Sequence, residues 1–332
     1  MAAKLRVGLV GNGGHGMVHV RTLAKLKDEA EIVALCDIKP GLAEKWTQEF
    51  GGKPFTSAEE MMDSVELDAL FITIPPTCHG LELLAIERGI PFQVEKPVNL
   101  DVAQAEAIAK AAEEKGVLAA AGYMNRYRRG INEAARIFQE DPPVLTIGGW
   151  IGGPPPYVED GIMAWWVKRS MSGGQFVEQV THTIDLVRLL CGEPVSVTAQ
   201  AATGFIKDHP TYDLDDALAV TIQFESGGVA NLYSCCASKA LGGVDLNVYA
   251  TSAAVRFTGW EHTAAIHRVG KDPVEIKGEE DIFIIEDRTF LGSVRTGDPS
   301  GVLSTYKDAV KTLKLSLAAN EAAQTGRTVT LS

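Results

Sequence analysis

The chain has 332 residues, of which 45% are hydrophobic, and its formal net charge is -12 at pH 7. A chain of this length can bury two cores of ordinary size, so two domains are expected. The net negative charge repels nucleic-acid phosphates and anionic lipid, so the expected partner is a small molecule or another protein. The odd set of five cysteines contains no C-x-x-C pair. Because the sequence also shows no secretory h-region and no run of membrane-spanning length, we expect a cytoplasmic protein.

The first local signal is the glycine-rich stretch "GLVGNGGHG", which begins at Gly8. Gly11, Gly13 and Gly16 fit G-x-G-x-x-G between a predicted strand, "KLRVGLV", and a predicted helix. Such glycines permit a tight turn and close backbone approach to a pyrophosphate at a helix N-terminus. A second predicted strand, "EIVALCD", ends on Asp37, about twenty residues beyond the last glycine, where a carboxylate accepts hydrogen bonds from the adenosine ribose hydroxyls. The spacing therefore predicts a dinucleotide site.

Predicted strands and helices continue to alternate through the first third of the chain. The order is a helix over 41–50, the strand "LDALFIT", a helix after His79, the strand "PFQVE", a helix from Asp101 to Lys115 and the strand "VLAAAGY". This alternation predicts an α/β fold with a doubly wound parallel sheet. Ligands bind outside the carboxyl ends of such strands, so "DI", "TIPPTCH", "EKP" and "GYMNR" are expected to converge on one crevice.

After Arg126 the pattern changes to one helix through Phe138 and then to β-rich segments. These segments are "VLTIGGWI", "ALAVTIQFESGGVANLYSCC", with a hairpin predicted at Glu225–Gly228, and "DLNVYATSAAVRFTGW". One helix is predicted over 174–190 and a closing helix over 304–323. The sequence thus predicts a dinucleotide-binding domain over 1–124 and, over 125–332, an α+β domain built on a largely antiparallel open sheet.

Two segments offer side chains for proton and charge chemistry. In "SGGQFVEQVTHTIDLVRLL", Glu178, His182 and Asp185 stand at i, i+4 and i+7 and fall on one face of a continuous helix. An imidazole takes a proton from an alcohol, and a carboxylate one turn earlier orients it; the alternative is an ordinary polar helix face. Lys96 of "EKP" follows a predicted strand, where an ammonium stabilises a developing alkoxide, although a surface lysine at a strand end is common.

Taken in order, Gly11-x-Gly13-x-x-Gly16, Asp37, "TIPPTCH", "EKP" and the helix motif around His182 resemble the Gfo/Idh/MocA oxidoreductases over nearly the whole chain. The resemblance implies a Rossmann domain followed by an α+β domain whose open sheet often mediates oligomerisation, and hence a homodimer or homotetramer. It implies hydride transfer between a nicotinamide cofactor and a secondary hydroxyl or ketone of a sugar, inositol or related polyol. A carboxylate at Asp37 repels a 2′-phosphate, so NAD is expected rather than NADP.

The resemblance also implies roles for individual residues. Lys96 would meet the reacting hydroxyl and His182 would remove its proton, with Lys96, Arg126, Gln179 and His182 near the substrate. No metal is expected. The cofactor residues implied are Gly11, Asn12, Gly13, Gly14, His15, Gly16, Met17, Asp37, Ile74, Pro75, His79, Glu95, Lys96 and Asn125.

This chain departs from the family's pattern at the helix motif. The aspartate that usually stands four residues before the histidine is Glu178 here, and the glycine two before it is Val180. Glu178 is therefore expected either to orient His182 or to reach the substrate itself.

Two other functions stay open from the sequence. Some relatives keep the cofactor bound and use transient oxidation for redox-neutral NAD-dependent glycoside cleavage, which a net NADH signal distinguishes from dehydrogenation. A non-catalytic cofactor-binding regulator is the other, and the presence of Lys96 and His182 argues against it.

Overall fold

The structure, a computed structural model, describes residues 3–331. The strands are β1 Leu5–Val10, β2 Ala30–Cys36, β3 Lys53–Phe55, β4 Ala69–Ile72, β5 Phe92–Val94, β6 Ala119–Ala121, β7 Leu145–Ile151, β8 Pro194–Ala202, β9 Ala217–Phe224, β10 Val229–Cys235, β11 Gly243–Tyr249, β12 Ala253–Thr258, β13 Thr263–Arg268, β14 Val274–Ile276 and β15 Val329–Thr330. The helices are α1 Gly16–Lys25, α2 Leu42–Phe50, α3 Ala58–Ser64, α4 Glu82–Glu87, α5 Val102–Lys115, α6 Arg129–Glu140, α7 Ile162–Trp166, α8 Arg169–Ser172, α9 Gln175–Glu178, α10 Thr181–Cys191, α11 Ile282–Thr296 and α12 Tyr306–Thr325.

The first sheet has six strands in the order β3-β2-β1-β4-β5-β6, and every neighbouring pair is parallel. This confirms the predicted doubly wound sheet. All four residues of β4 are buried, as expected for a parallel strand covered on both faces. The strand order reverses between β1 and β4, and such a reversal opens a crevice at the carboxyl ends of the strands.

Two compact units make up the chain, and their boundaries differ partly from the predicted domains. One contains the described residues of Met1–Met124 together with Asp281–Val310, and the other contains Asn125–Glu280 with the described residues of Lys311–Ser332. The break after residue 124 coincides with the predicted one. The segment Asp281–Val310, however, groups with the first unit, because Phe290 and Leu291 of α11 join the buried core formed around α1 and β1.

The second unit is built on a nine-stranded sheet in the order β14-β13-β12-β11-β7-β10-β9-β8-β15. Among its described pairs only β7 and β10 run parallel, so the sheet is largely antiparallel, as predicted. The hairpin predicted at Glu225–Gly228 joins β9 to β10. Apolar side chains of α6, α10 and α12 pack on one face of the sheet and form the core of this unit.

The predicted continuous helix over 174–190 is wrong, because the segment forms two helices, α9 and α10. At the break, the N–H of Val180 bonds the carbonyl of Gln175, five residues back, and that of His182 bonds Gln179, three back. The change of hydrogen-bond register ends the simple i, i+4 relation between Glu178 and His182. Glu178, His182 and Asp185 are all buried, whereas Gln179 is half-buried and Leu189 is exposed.

Other helices begin and end close to their predicted limits. The helix predicted from Asp101 to Lys115 is α5, in which the Asp101 carboxylate accepts the N–H of Gln104 at 3.1 Å as an N-cap, and Gly116 ends it at a φ of 69°. In the part of the chain that the structure describes, no helix is both long enough and apolar enough to cross a membrane.

We predict that His262 makes the stability of the fold depend on pH. His262 lies in the turn between β12 and β13 with a φ of 51°, is 2% exposed, and its Nδ1 bonds the carbonyl of Trp260 at 2.9 Å. Burial lowers its pKa from 6.5 to about 4, Arg128 adds to this, and Trp260 and Glu261 oppose it. The unfolded chain therefore binds a proton that the folded chain does not. Above pH 6.5 this group does not reduce the free energy of unfolding. As the pH drops towards 4, the free energy of unfolding falls by about 3 kcal/mol.

Urea unfolding between pH 4 and 7 measures this effect. The control is His262→Asn, since asparagine tolerates a positive φ and does not titrate. The wild type is expected to lose more stability than the variant on acidification. Parallel stability curves would contradict the assignment.

Candidate active site

The turn between β1 and α1 requires glycine at two positions. Gly11 has a φ of 89°, and a Cβ there would lie 2.6 Å from the carbonyl oxygen of Thr73. A Cβ on Gly16 would lie 2.0 Å from the carbonyl oxygen of Gly11. Gly13 and Gly14 differ, since apart from their chain neighbours no atom of residues 3–331 lies within 4 Å of a Cβ built on either. The turn is thus closed on its protein side and open on the other, as a pyrophosphate site at a helix N-terminus requires.

Asp37 fixes the end of β2 to this turn. Its Oδ2 accepts the backbone N–H of Asn12 at 2.7 Å, and its Oδ1 accepts that of Lys39 at 2.9 Å. Asn12 is 1% exposed, and neither its amide nitrogen nor its amide oxygen has a hydrogen-bond partner within the described chain. Buried amides are normally paired. An orphaned amide beside open glycines therefore fits a polar ligand, and a dinucleotide is such a ligand.

The segment after β4 presents backbone and apolar side chains. Ile74 and Pro75 are half-buried, and a short 3₁₀ segment, Pro76–Cys78, follows. The His79 side chain is fully buried, and its Nδ1 is bound by the carboxylate of Glu82. The Nδ1 of His79 therefore stabilises the local turn, while its Nε2 is buried without a hydrogen-bond partner in residues 3–331.

Glu95 lies directly after β5, and several hydrogen-bond donors surround its buried carboxylate. Its Oε1 lies 2.9 Å from Nε2 of His19 and 3.3 Å from Nε2 of His15, and its Oε2 accepts the backbone N–H of Lys96 at 3.2 Å. Glycine at position 122 leaves room for it, since a Cβ there would lie 2.7 Å from Oε1. The next residue, Lys96, is half-buried and joined to Pro97 by a cis peptide bond.

The remaining residues of the glycine turn differ in exposure. The His15 side chain, which immediately precedes α1, is 40% exposed. Met17 packs in the core of the first unit and donates its N–H to the carbonyl of Gly13. Only His15 of the two offers a side chain to a ligand.

Asn125 and Arg126 lie in a 3₁₀ segment, Met124–Tyr127, and both belong to the second unit. The Asn125 side-chain oxygen accepts Nε of Arg128 at 2.7 Å. Arg126 makes a bidentate pair with Asp185, with Nε and Nη2 at 2.7 and 2.6 Å from the two carboxylate oxygens. Arg126, which was expected near the substrate, therefore has its guanidinium paired with a carboxylate of its own unit. The partner is Asp185, the third polar residue of the helix motif.

Glu178, Gln179 and His182 lie around the break between α9 and α10. Glu178 accepts the indole N–H of Trp166 at 2.7 Å and is 6% exposed. The amide oxygen of Gln179 accepts from Gln175 at 3.1 Å. The His182 imidazole is also 6% exposed and meets the ring of Trp260 edge to face, with ring centres 5.9 Å apart.

Three residues in these networks were not identified from the sequence. His19 contacts Glu95, and Trp260 contacts His182. Arg128 donates to the Asn125 side chain and, at 3.3 Å, to the carbonyl of Trp260. His19 could have been identified from the sequence, because it is a histidine on the predicted buried face of α1. Trp260 and Arg128 are brought to their partners by long-range packing, for which local sequence carries no signal.

Two models of one protein family match most of the chain. Residues 5–123 match the model described as the oxidoreductase family with an NAD-binding Rossmann fold, and residues 146–256 match the C-terminal domain model of the same family. The chain therefore belongs to the Gfo/Idh/MocA family of oxidoreductases.

Individual proteins show how far the similarity extends. The chain is 28% identical to the scyllo-inositol 2-dehydrogenase (NAD⁺) of Bacillus subtilis strain 168, over 70% of this chain and 67% of that one. It is 22% identical to the myo-inositol 2-dehydrogenase of Thermotoga maritima, over 98% of each chain. Among solved structures, levoglucosan dehydrogenase in complex with NADH has a TM-score of 0.87 at 18% identity, covering 99% of this chain and 100% of that one. That likeness establishes the fold.

Proposed function

We propose that this protein is an NAD-dependent dehydrogenase that acts on a secondary hydroxyl of a sugar, inositol or related polyol. The observation that carries the proposal is the open glycine turn, with its orphaned Asn12 amide, fixed to Asp37 at the end of β2. Family membership supports it, and so do relatives that are named as inositol dehydrogenases. The dehydrogenase names of these relatives favour neither glycoside cleavage nor a regulator.

We assign cofactor roles to residues of the first unit. The N–H groups around Gly13 and Gly14 and the start of α1 would hold the pyrophosphate, because a helix N-terminus favours an anion. The Asp37 carboxylate has lone pairs beyond its two backbone bonds and would accept the adenosine ribose hydroxyls. Ile74, Pro75 and the backbone of His79 would face the middle of the cofactor, and Glu95 would contact the nicotinamide ribose.

We assign the reaction to Lys96 and His182. Bound NAD would supply the hydride acceptor at its nicotinamide ring. His182 would take the hydroxyl proton as the carbon–hydrogen bond breaks and the C=O bond forms, so that one hydride and one proton leave the substrate. The Lys96 ammonium would stabilise the negative charge that develops on the oxygen. Glu178 would orient this region through its bond to Trp166.

An absorbance screen tests the function. Sugars, inositols, sugar acids and glycosides are incubated with NAD or NADP, and nicotinamide absorbance is followed. Net reduction of NAD by one polyol is the expected result. Glycoside cleavage without net NADH would establish the redox-neutral alternative, and no turnover with any compound would favour the regulator.

We predict that the Asp37 charge sets the choice of cofactor. Its carboxylate repels a 2′-phosphate, so the wild type should have a higher kcat/KM with NAD than with NADP. Asp37→Asn keeps an oxygen for the N–H of Asn12 but removes the charge, and the NAD preference should fall by roughly tenfold. Steady-state kinetics with both cofactors measures the effect.

The matched control for this prediction is Glu31→Gln, an exposed carboxylate at the other end of β2, which should leave the preference unchanged. A wild type that prefers NADP, or an unchanged ratio in Asp37→Asn, would remove Asp37 as the discriminating residue.

We predict that His182→Asn abolishes most turnover but leaves folding and NAD binding intact, because His182 lies outside the nucleotide-binding unit. Loss of a general base typically costs roughly 10²–10⁴ in rate. Lys96→Ala and Glu178→Gln should also reduce kcat. The measurements are kcat at saturating cofactor and the dissociation constant of NADH.

His267→Asn is the control, because His267 is exposed on β13 and has no assigned role. Near-normal turnover in His182→Asn would move the base to Glu178 or Lys96.

We also propose that a second copy of the chain covers the open face of the nine-stranded sheet, giving a homodimer or homotetramer. Ile147 of β7 is 37% exposed on this face and lines a shallow depression with Thr221, Asn231 and Tyr233. Apolar surface exposed on an open sheet face, as at Ile147, favours association. The free cysteines are consistent with the proposed cytoplasmic location.

Light scattering after size exclusion tests the assembly. The wild type should be an oligomer at micromolar concentration, and Ile147→Glu should shift it towards monomer. Leu241→Glu, at an exposed loop residue, should not. A monomeric wild type would refute the proposal.

A further inference from the structure

A buried chain of ionisable groups lies in the first unit beside the end of β5. His19 is 1% exposed, and its two ring nitrogens are held by two carboxylates from distant parts of the sequence, Asp287 and Glu95. We propose that His19, clamped between Asp287 and Glu95, is a positioning residue that fixes the Glu95 carboxylate for the nicotinamide ribose of the bound cofactor. This inference rests on the proposed function, because it assumes that the first unit binds NAD.

The geometry leaves His19 one orientation. Its Nδ1 lies 3.0 and 3.1 Å from the two oxygens of Asp287 on α11, and its Nε2 lies 2.9 Å from Oε1 of Glu95. Asp287 also accepts Nε2 of Gln93 at 3.3 Å. The His19 ring packs against Phe71, with ring centres 5.3 Å apart. A ring bonded at both nitrogens cannot turn without breaking both ion pairs.

The charges of His19 and of its two carboxylate partners also favour a fixed, ionised Glu95. Burial alone lowers the pKa of His19, but the charges and hydrogen bonds of Asp287 and Glu95 outweigh it and hold the pKa well above its usual value. Burial raises the pKa of Glu95, and the neighbouring His15 and His19 more than reverse this, so the pKa lies well below its usual value. Glu95 is thereby kept as an anion, the form that accepts hydrogen bonds from ribose hydroxyls.

The space around Glu95 is also restricted. The Lys96 N–H binds Oε2, and the bare Cα of Gly122 stands where a side chain would collide with Oε1. Glu95 is therefore held from three sides, by His19, by the backbone of the residue expected to meet the substrate, and by a glycine surface. A shift of this carboxylate would move the contact proposed for the ribose, whereas the backbone of the glycine turn is held independently by the Thr73 hydroxyl and by the bond from Asn12 to Asp37.

A metal ion is the competing occupant of this cluster. One ligand atom each of His15, His19 and Glu95 lies within 4.8 Å of the others. However, the His19 nitrogen nearest to Glu95 already makes a 2.9 Å hydrogen bond, and the cluster stands beside the N-terminus of α1, whose dipole disfavours a cation. The observations favour the arrangement in which Asp287 and Glu95 hold His19, here called the clamp. Metal analysis decides between the clamp and a metal site.

Two ligands separate positioning from general support of the fold. ADP carries the adenosine ribose and the pyrophosphate, so it should contact only Asp37 and the glycine turn. NADH carries the nicotinamide ribose as well. Dissociation constants for both are measured by calorimetry on the full chain, alongside thermal unfolding and metal content by mass spectrometry.

Three variants disturb the clamp from different directions. His19→Gln and Asp287→Asn weaken its two ion pairs, and Gly122→Ala displaces Oε1 of Glu95, the atom that His19 holds, while leaving His19 and Asp287 themselves unchanged. The control is Glu286→Gln beside Asp287. Glu286 is 1% exposed, its carboxylate has no hydrogen-bond partner in the described chain, and burial with the nearby Glu95 and Asp287 charges raises its pKa well above its usual value. The raised pKa favours the protonated, uncharged carboxyl of Glu286, which an amide matches in size.

The expected result is a roughly tenfold or greater rise in the dissociation constant of NADH in the three clamp variants, with ADP affinity unchanged. Glu286→Gln should bind both ligands like the wild type. If His19→Gln does not fold, Asp287→Asn and Gly122→Ala still give the comparison.

Equal loss of ADP and NADH affinity would overturn the proposal in favour of a structural role. Unchanged NADH affinity in every folded clamp variant would overturn it as well. A stoichiometric metal that His19→Gln loses would assign the cluster to an ion instead. A wild type that binds neither ligand would refute the proposed function itself, and the positioning role with it.

Discussion

Six parallel strands end at the same edge of the first sheet, and the proposed cofactor chemistry of this unit depends on that constraint. The glycine turn follows β1, Asp37 follows β2, and Glu95 with Lys96 follows β5. No local sequence feature joins these positions; the parallel order of the strands does. The hydrogen bond from Asn12 to Asp37 then fixes the turn to the neighbouring strand.

The local patterns were sufficient to predict the parallel sheet, the mainly antiparallel second sheet and the hairpin between β9 and β10. They failed where long-range packing decides the structure. The strand β3 has three residues, too few for a periodic signal, and the return of α11 to the first unit depends on its packing beside α1. The helix over 174–190 had good helical periodicity, and only the changed hydrogen-bond register at Val180 reveals the break.

The same distinction applies to the site. Gly11 and Gly16 could be identified from the sequence because a turn that excludes a Cβ selects glycine. Partners of buried charges could not. His19 and Asp287 are 268 residues apart, and Arg126 and Asp185 are 59 apart. A buried charge costs free energy unless it is paired, so both pairs constrain the fold. His15 and His19 together hold the pKa of Glu95 low and keep it ionised, so the pairing of His19 links the stability of the first unit to its proposed cofactor contact.

We propose that the chain moves a hydride from a polyol carbon to NAD. Mass spectrometry of the NADH formed from a polyol deuterated at its carbinol carbons tests this transfer. We expect the NADH to carry one deuterium, with none exchanged with solvent before transfer. Unlabelled NADH, or substrate turnover in which the deuterium appears only in water, would contradict direct hydride transfer.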